Sequence, residues 1–318
     1  MALNTSYRYM ARYLGVGAVC RSLLAGAALR YCPASGVTRA LLSARNDALA
    51  RGLAKLVEPA LEKYQGESAP AGKNDGDIWM YWQQGLAAAP ENIRKSVESI
   101  RRHAGGRAVH VLDETSAADF TALPDAVRAR ILAGQMHPAH VADVLRMFLL
   151  RDHGGLWVDA SFFAAVPLPD AVFDAPLFSP HRADDQSARY PSDSRWVIGL
   201  MGGQQGHVIF RYMADALSEY WTKCEGAVCP LLTDCLLRAG YQRIPAIREA
   251  VDALKTNGAH IYDLAPRANE RVNRDALRAL TEDTFAFRFS WRGTYVERTP
   301  EGDETWFGYL SGDTKEGA

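Results

Sequence analysis

The chain has 318 residues and a formal net charge of −1. Hydrophobic residues make up 48% and charged residues 23%, which excludes wholesale disorder and leaves room for one large domain or two small ones. Near-neutrality also excludes a chain-wide nucleic-acid binder, because such binding rests on neutralising phosphates.

In chain order, residues 1–66 read as Ala/Leu-rich helices. Residues 1–57 carry seven arginines and Lys55 against a single acid, Asp47, so this stretch is +7 and the rest −8. Tyr7, Arg8, Tyr9, Arg12 and Tyr13 open a basic amphipathic helix. Leu14 to Leu29 is apolar but is broken by Arg21, and it falls short of the ~20 residues that span a bilayer. Pro33, Ser35 and Gly36 mark a break, and a second helix is predicted over 37–64. The expectation is a helical arm, packed on the core or lying on an anionic membrane surface. Gly66 to Gly76 is a linker by composition, so the predicted units are 1–70, extension and linker, and 71–318.

From Asp77 short strands alternate with helices. Ile78 to Trp82 is a strand, Pro90 to Ala104 a helix, Ala108 to Leu112 a strand and Pro124 to Leu132 a short helix. Pro138 to His153 is a longer helix with Val141, Val144, Leu145, Phe148 and Leu149 at helical spacing. Gly154 and Gly155 stop it, and Leu156-Trp157-Val158 is a buried strand. Further helices are predicted over 208–221 and 231–239, late strands over 285–289 and 293–298, and a frayed tail after Leu310. Strand–helix alternation predicts an α/β sheet with its ligand site beyond the strand carboxyl ends. Cys20, Cys32, Cys224, Cys229 and Cys235 are too sparse for a disulfide framework and contain no CxxC pair, so reduced thiols are expected.

The chemistry concentrates in Ala142-Asp143-Val144-Leu145-Arg146 and Gly154-Gly155-Leu156-Trp157-Val158-Asp159-Ala160-Ser161. Asp143 and Arg146 are three apart on one helix and share a face. Asp159 ends an apolar strand, where a carboxylate beside the Ser161 hydroxyl can meet a sugar hydroxyl or a hard cation. A helix ion pair and a capping Asp are the plainer readings of these residues taken singly.

Together with Ile78-Trp79-Met80-Tyr81-Trp82, these blocks resemble the DXD-type sugar transferases, and among them the capsular polysaccharide synthesis proteins. The resemblance spans about residues 76–240 and leaves 1–70 outside. It implies an α/β, GT-A-like nucleotide-diphosphosugar transferase fold carrying an N-terminal helical extension. Trp79 would stack on the nucleotide base, with Trp82, Gly154 and Gly155 also at the substrate. Asp143 would bind sugar hydroxyls, and Arg146 would lie near the sugar or diphosphate. Asp159 would match the first Asp of DXD, and the second is replaced by Ser161. A weakly bound Mn²⁺ or Mg²⁺ on Asp159 and Ser161 is therefore implied. Asp234 is the candidate catalytic or sugar-orienting group and His140 a candidate acceptor contact. Trp291 would close over the nucleotide, and His207 reads as a helix-start surface residue.

The resulting expectation is a hexosyltransferase of bacterial capsular type. It would be metal-assisted and retaining, and would use a nucleotide-diphosphate sugar and a glycan or lipid-linked acceptor. It would be cytoplasmic, with peripheral contact at the inner membrane face through residues 1–57. The alternative is a non-catalytic nucleotide-sugar or glycan-binding scaffold of a polysaccharide assembly complex.

Overall fold

The computed structural model describes residues 2–68, 74, 76–182 and 187–312. Residues 69–73 and 75 of the predicted linker and 313–318 of the predicted tail lie outside the described residues.

Four helices come first: α1 (Ala2–Leu14), α2 (Val16–Tyr31), α3 (Gly36–Leu56) and α4 (Glu58–Tyr64). The predicted first helix is two, because Gly15 at φ 85° cannot continue a right-handed helix. The predicted break at Pro33–Gly36 is present, and Ser35 caps α3 by accepting from the Thr38 N–H. Pro59 starts α4 and so splits the predicted 37–64 helix.

The rest of the chain runs β1 (Ile78–Tyr81), α5 (Glu91–His103), β2 (Val109–Leu112), α6 (Asp125–Leu132), α7 (Pro138–His153), β3 (Gly155–Val158), β4 (Phe162–Ala164), α8 (Asp170–Asp174), β5 (Leu177–Phe178) and β6 (Leu200–Gly203). It continues with α9 (Val208–Lys223), α10 (Leu232–Arg243), α11 (Pro245–Asp252), α12 (Arg274–Leu280), β7 (Ala286–Arg288) and α13 (Trp306–Ser311). The strand predicted over 293–298 is absent. There Asn269 donates to Thr294 O and accepts from the Val296 N–H, and Tyr295 Oη accepts from the Ser290 N–H, which holds the segment as a loop.

Five strands form a mixed sheet in the order β2-β1-β3-β6-β5. β1 is parallel to β2 and to β3, whereas β6 is antiparallel to both β3 and β5. β4 and β7 form a separate antiparallel pair. Every residue of β1 and β3 is buried, so their side chains split between two covered faces. Ile78, Met80, Leu156 and Val158 pack with Ile93, Val97 and Ile100 of α5. Trp79, Tyr81 and Trp157 pack with apolar residues of α7, α9 and α10. Met10, Ala18, Leu49 and Leu53 of the first helices belong to that same core. Among the described residues, no helix is long and apolar enough to cross a membrane.

Candidate active site

A cavity of about 750 Å³ lies beyond the carboxyl ends of β1 and β3, within the usual size range for a small-molecule site. Tyr81 and Trp82 reach it from the end of β1, and Asp159, Ala160 and Ser161 from the end of β3. Asp143 and Arg146 enter from α7, Thr233 and Asp234 from the first turn of α10, and Arg288 from β7.

Arg146 organises the floor. Its side chain is only 3% exposed, so its charge needs partners. One terminal nitrogen donates to Asp143 Oδ1 at 2.6 Å and the other to Asp159 Oδ1 at 2.8 Å. The Trp157 ring lies beneath the guanidinium at 4.8 Å, and its Nε1–H donates to Asp159 Oδ1 at 2.8 Å. Arg288 donates to Asp159 Oδ2 at 3.3 Å, and Thr233 Oγ1 donates to Asp143 Oδ2 at 2.8 Å. Burial pushes the Asp143 carboxyl up, but Arg146 and His140 together outweigh it and hold the group at about 2.

Asp234 goes the other way. Burial and the nearby Asp143 charge push its carboxyl up to about 7, although the Trp196 Nε1–H donates to Oδ1 at 3.0 Å. The floor therefore holds Asp143 well below the usual carboxylate range and Asp234 well above it. Four guanidiniums, Arg146, Arg182, Arg288 and Arg292, line the cavity together with the carboxyls of Asp143, Asp159 and Asp234. Opposite the floor, Trp82 and Trp291 meet edge to face at 6.0 Å, and Arg292 covers the Trp291 ring at 4.6 Å. Asn92 fixes this rim by donating to the carbonyls of Ser290 and Trp291.

Asp143, Arg146, Asp159, Ser161, Asp234, Trp82 and Trp291 are thus brought to one cavity. Trp79 is not. It is 1% exposed, stacks on His110 at 4.4 Å and donates its Nε1–H to Gly154 O at 2.9 Å. It points to the sheet face opposite Ile78 and is a core residue. Gly154 and Gly155 also lie outside the cavity wall. Both have φ in the left-handed region: a Cβ on Gly155 would stand 2.2 Å from Asp77 O beside β1, and one on Gly154 2.8 Å from Gly203 O at the end of β6, so they serve the close packing of β3 between its two neighbours. His140 is buried behind the wall, with Nδ1 at 3.5 Å from Asp143 Oδ2, and acts on that carboxylate electrostatically. His207 does start α9, but it is 1% exposed rather than on the surface. Its Nδ1 accepts from the Ile209 N–H, and burial lowers it to about 4.

The donor set does not fit the divalent cation expected on Asp159 and Ser161. Both Asp159 oxygens already face guanidiniums, which repel a cation, and Ser161 adds only a neutral hydroxyl. No group of three His, Cys, Asp or Glu side chains able to hold a metal ion occurs among the described residues.

Sequence reasoning missed Arg288, Arg182, Tyr190 and Tyr262 in the wall. Only Arg288 carried a signal: it is a lone cation within Phe285-Ala286-Phe287-Arg288-Phe289.

A strand-end network of arginines and carboxyls on the floor of a cavity is an enzyme-like arrangement. The chain belongs to the capsular polysaccharide synthesis protein family, whose model matches residues 30–309. That match is wider than the 76–240 expected and includes α3 and α4. Among curated proteins, the chain is 25% identical over 167 residues to the O-glycosyltransferase braB of Annulohypoxylon truncatum, covering 46% of this chain and 38% of that protein. It is 26% identical over 166 residues to the glycosyltransferase afumC of Aspergillus fumigatus, covering 47% and 42%. It is 25% identical over 169 residues to the O-glycosyltransferase PaGT of Phomopsis amygdali, covering 48% and 41%. The matched segment spans about two fifths of each relative's length. No solved structure matches the chain significantly.

Proposed function

We propose that the chain is a glycosyltransferase of GT-A-like build that moves a hexose from a nucleotide-diphosphate sugar to a glycan or other hydroxyl acceptor. One observation carries the reading: Arg146 clamps Asp143 and Asp159 at the floor of a cavity that Arg288 and Arg292 also line. Carboxylate oxygens accept hydrogen bonds from sugar hydroxyls, and the guanidiniums suit phosphate oxygens. Arg288, Arg182 and Arg292 take the leaving diphosphate, and Trp82 and Trp291 flank the nucleotide base. Asp234 faces the acceptor hydroxyl and orients it through its ionised form. The leaving diphosphate receives the acceptor proton, in keeping with the retention that the family resemblance implies.

The test is incubation of the purified chain with a panel of nucleotide sugars, with nucleoside diphosphate release and product mass as readouts. Release from one donor is expected, with loss in a folded Asp143→Asn variant. Tight donor binding without release would instead favour the scaffold reading. Product anomers by NMR check the stereochemistry, and an inverted product would make Asp234 the general base. The basic first helices support peripheral contact with an anionic membrane, since Val16, Leu23, Leu24 and Val37 are exposed among their arginines.

A further inference from the structure

A second cavity, of about 310 Å³, lies between the N-terminal helices and the catalytic part. That is the space of roughly ten waters, enough for a short apolar segment. The two cavities adjoin: Tyr190, Pro230 and Leu231 line both. The first turn of α10 stands between them, because Asp234 lines the first cavity and the next residue, Cys235, lines the second. Tyr190 and Leu231 are partly exposed, at 39% and 36%.

The second cavity is largely apolar, and among the described residues its charged lining is two arginines, Arg45 and Arg189. Tyr7, Met10, Leu29 and Leu49 form much of its wall. Arg45 enters it, and its guanidinium donates only to the Asn46 side chain and the Arg189 carbonyl. Among the described residues no carboxylate lies within 4.0 Å of it. A half-buried guanidinium without an anion is costly unless a ligand supplies one. Its neighbour Arg238, by contrast, is paired with both Asp47 and Asp193.

We infer that this second cavity is the acceptor's docking site, which takes an anionic amphiphile with its anion against Arg45 and its apolar body along Met10, Leu29 and Leu49. Threading past Tyr190 and Leu231 then brings the acceptor hydroxyl to Asp234 in the first cavity. The inference rests on the transferase reading and narrows it to an acceptor class. A longer apolar tail would leave along α2, which lines the cavity with Ser22, Gly26 and Leu29 and exposes Val16, Leu23 and Leu24.

The test uses the full chain and isothermal titration with decyl phosphate below its micelle concentration, beside decanol and inorganic phosphate. Decyl phosphate is expected to bind about tenfold or more tightly than either fragment. A Cβ at Gly26 meets open space, so Gly26→Phe should fill the cavity without straining α2 and abolish the binding. Arg45→Gln should weaken it about tenfold, and Arg45→Lys should recover part of that. Nucleoside diphosphate binding checks that each variant is folded. Vesicles of phosphatidylcholine, with and without a polyprenyl phosphate, separate a membrane-borne acceptor from a soluble one: Arg45-dependent capture on the doped vesicles alone assigns the former. Unchanged decyl phosphate affinity in both Gly26→Phe and Arg45→Gln overturns the inference. A chain that binds decyl phosphate but no nucleotide sugar overturns the transferase reading instead.

Discussion

At the scale of the residue, Arg146 carries both stability and chemistry. Arg146→Ala removes the shared partner of two part-buried carboxylates, leaving Asp143 with Thr233 and Asp159 with Trp157 and Arg288, and should cost about 1–3 kcal/mol in denaturant unfolding, with activity lost alongside. Arg146→Lys should rescue little, because one ammonium cannot fork to Asp143 and Asp159 together. Asp234 predicts a pH profile. With its carboxyl near 7, turnover should rise as pH passes through neutrality, and Asp234→Asn should flatten that limb and lower kcat/KM about 10- to 100-fold. Its stability effect has the opposite sign to that of an ordinary ion-paired acid. Between about pH 4 and 7 the folded chain holds a proton that the unfolded chain has released, so stability is lost as pH rises through that window. Asp234→Asn should therefore be the more stable protein at about pH 8, as thermal melts across pH would show. Trp291, at the open rim, should cost about 1–3 kcal/mol of nucleotide binding when cut to alanine.

At the scale of the element, two positions decide whether the site is presented at all. Gly155→Ala drives a Cβ into the Asp77 carbonyl at a left-handed φ, so β3 cannot seat on β1 and soluble yield should collapse. His207 caps α9 in its neutral form. Its folded value near 4 lies below the ordinary value of about 6.5, so its contribution is present above about pH 6.5 and lost as pH falls towards 4. His207→Asn keeps a capping side chain and should remove about 2 kcal/mol of acid sensitivity, read by unfolding at about pH 5 against pH 7. These elements also show what could be read from the sequence. The 138–153 helix and its apolar stripe were legible because burial there follows helical periodicity. Asp143, Arg146 and Asp159 were legible because charges beside apolar runs need a reason. Trp79 misled, because the pleat sends alternate residues to opposite faces and its own pattern does not say which face is the cavity. Arg288 and Tyr190 reach the site by long-range packing, and no local spacing records it. The predicted 293–298 strand failed because side-chain hydrogen bonds from Asn269 and Tyr295 closed a loop first.

At the scale of the whole molecule, the positive and negative halves of the chain are joined. Asn46 donates to the carbonyls of Ala188 and Tyr190, and Arg238 links Asp47 to Asp193 and to the Pro191 carbonyl. The segment lining the cavity at 190–194 is thus held by α3. Asp193 and Ser194 sit there at φ 47° and 58°, a turn that needs such anchoring. Asn46→Ala should raise the KM for donor with little change in the melting of the rest, and proteolysis should become faster between 187 and 196. The charge inventory of the first cavity has a consequence of its own. An arriving diphosphate offsets the guanidiniums around Asp234, so the protonated form of that carboxyl is favoured further. Donor binding near neutrality should then draw a fraction of a proton from solution. Titrations in buffers of different ionisation heat would register that uptake, and the Asp234→Asn protein should show none of it.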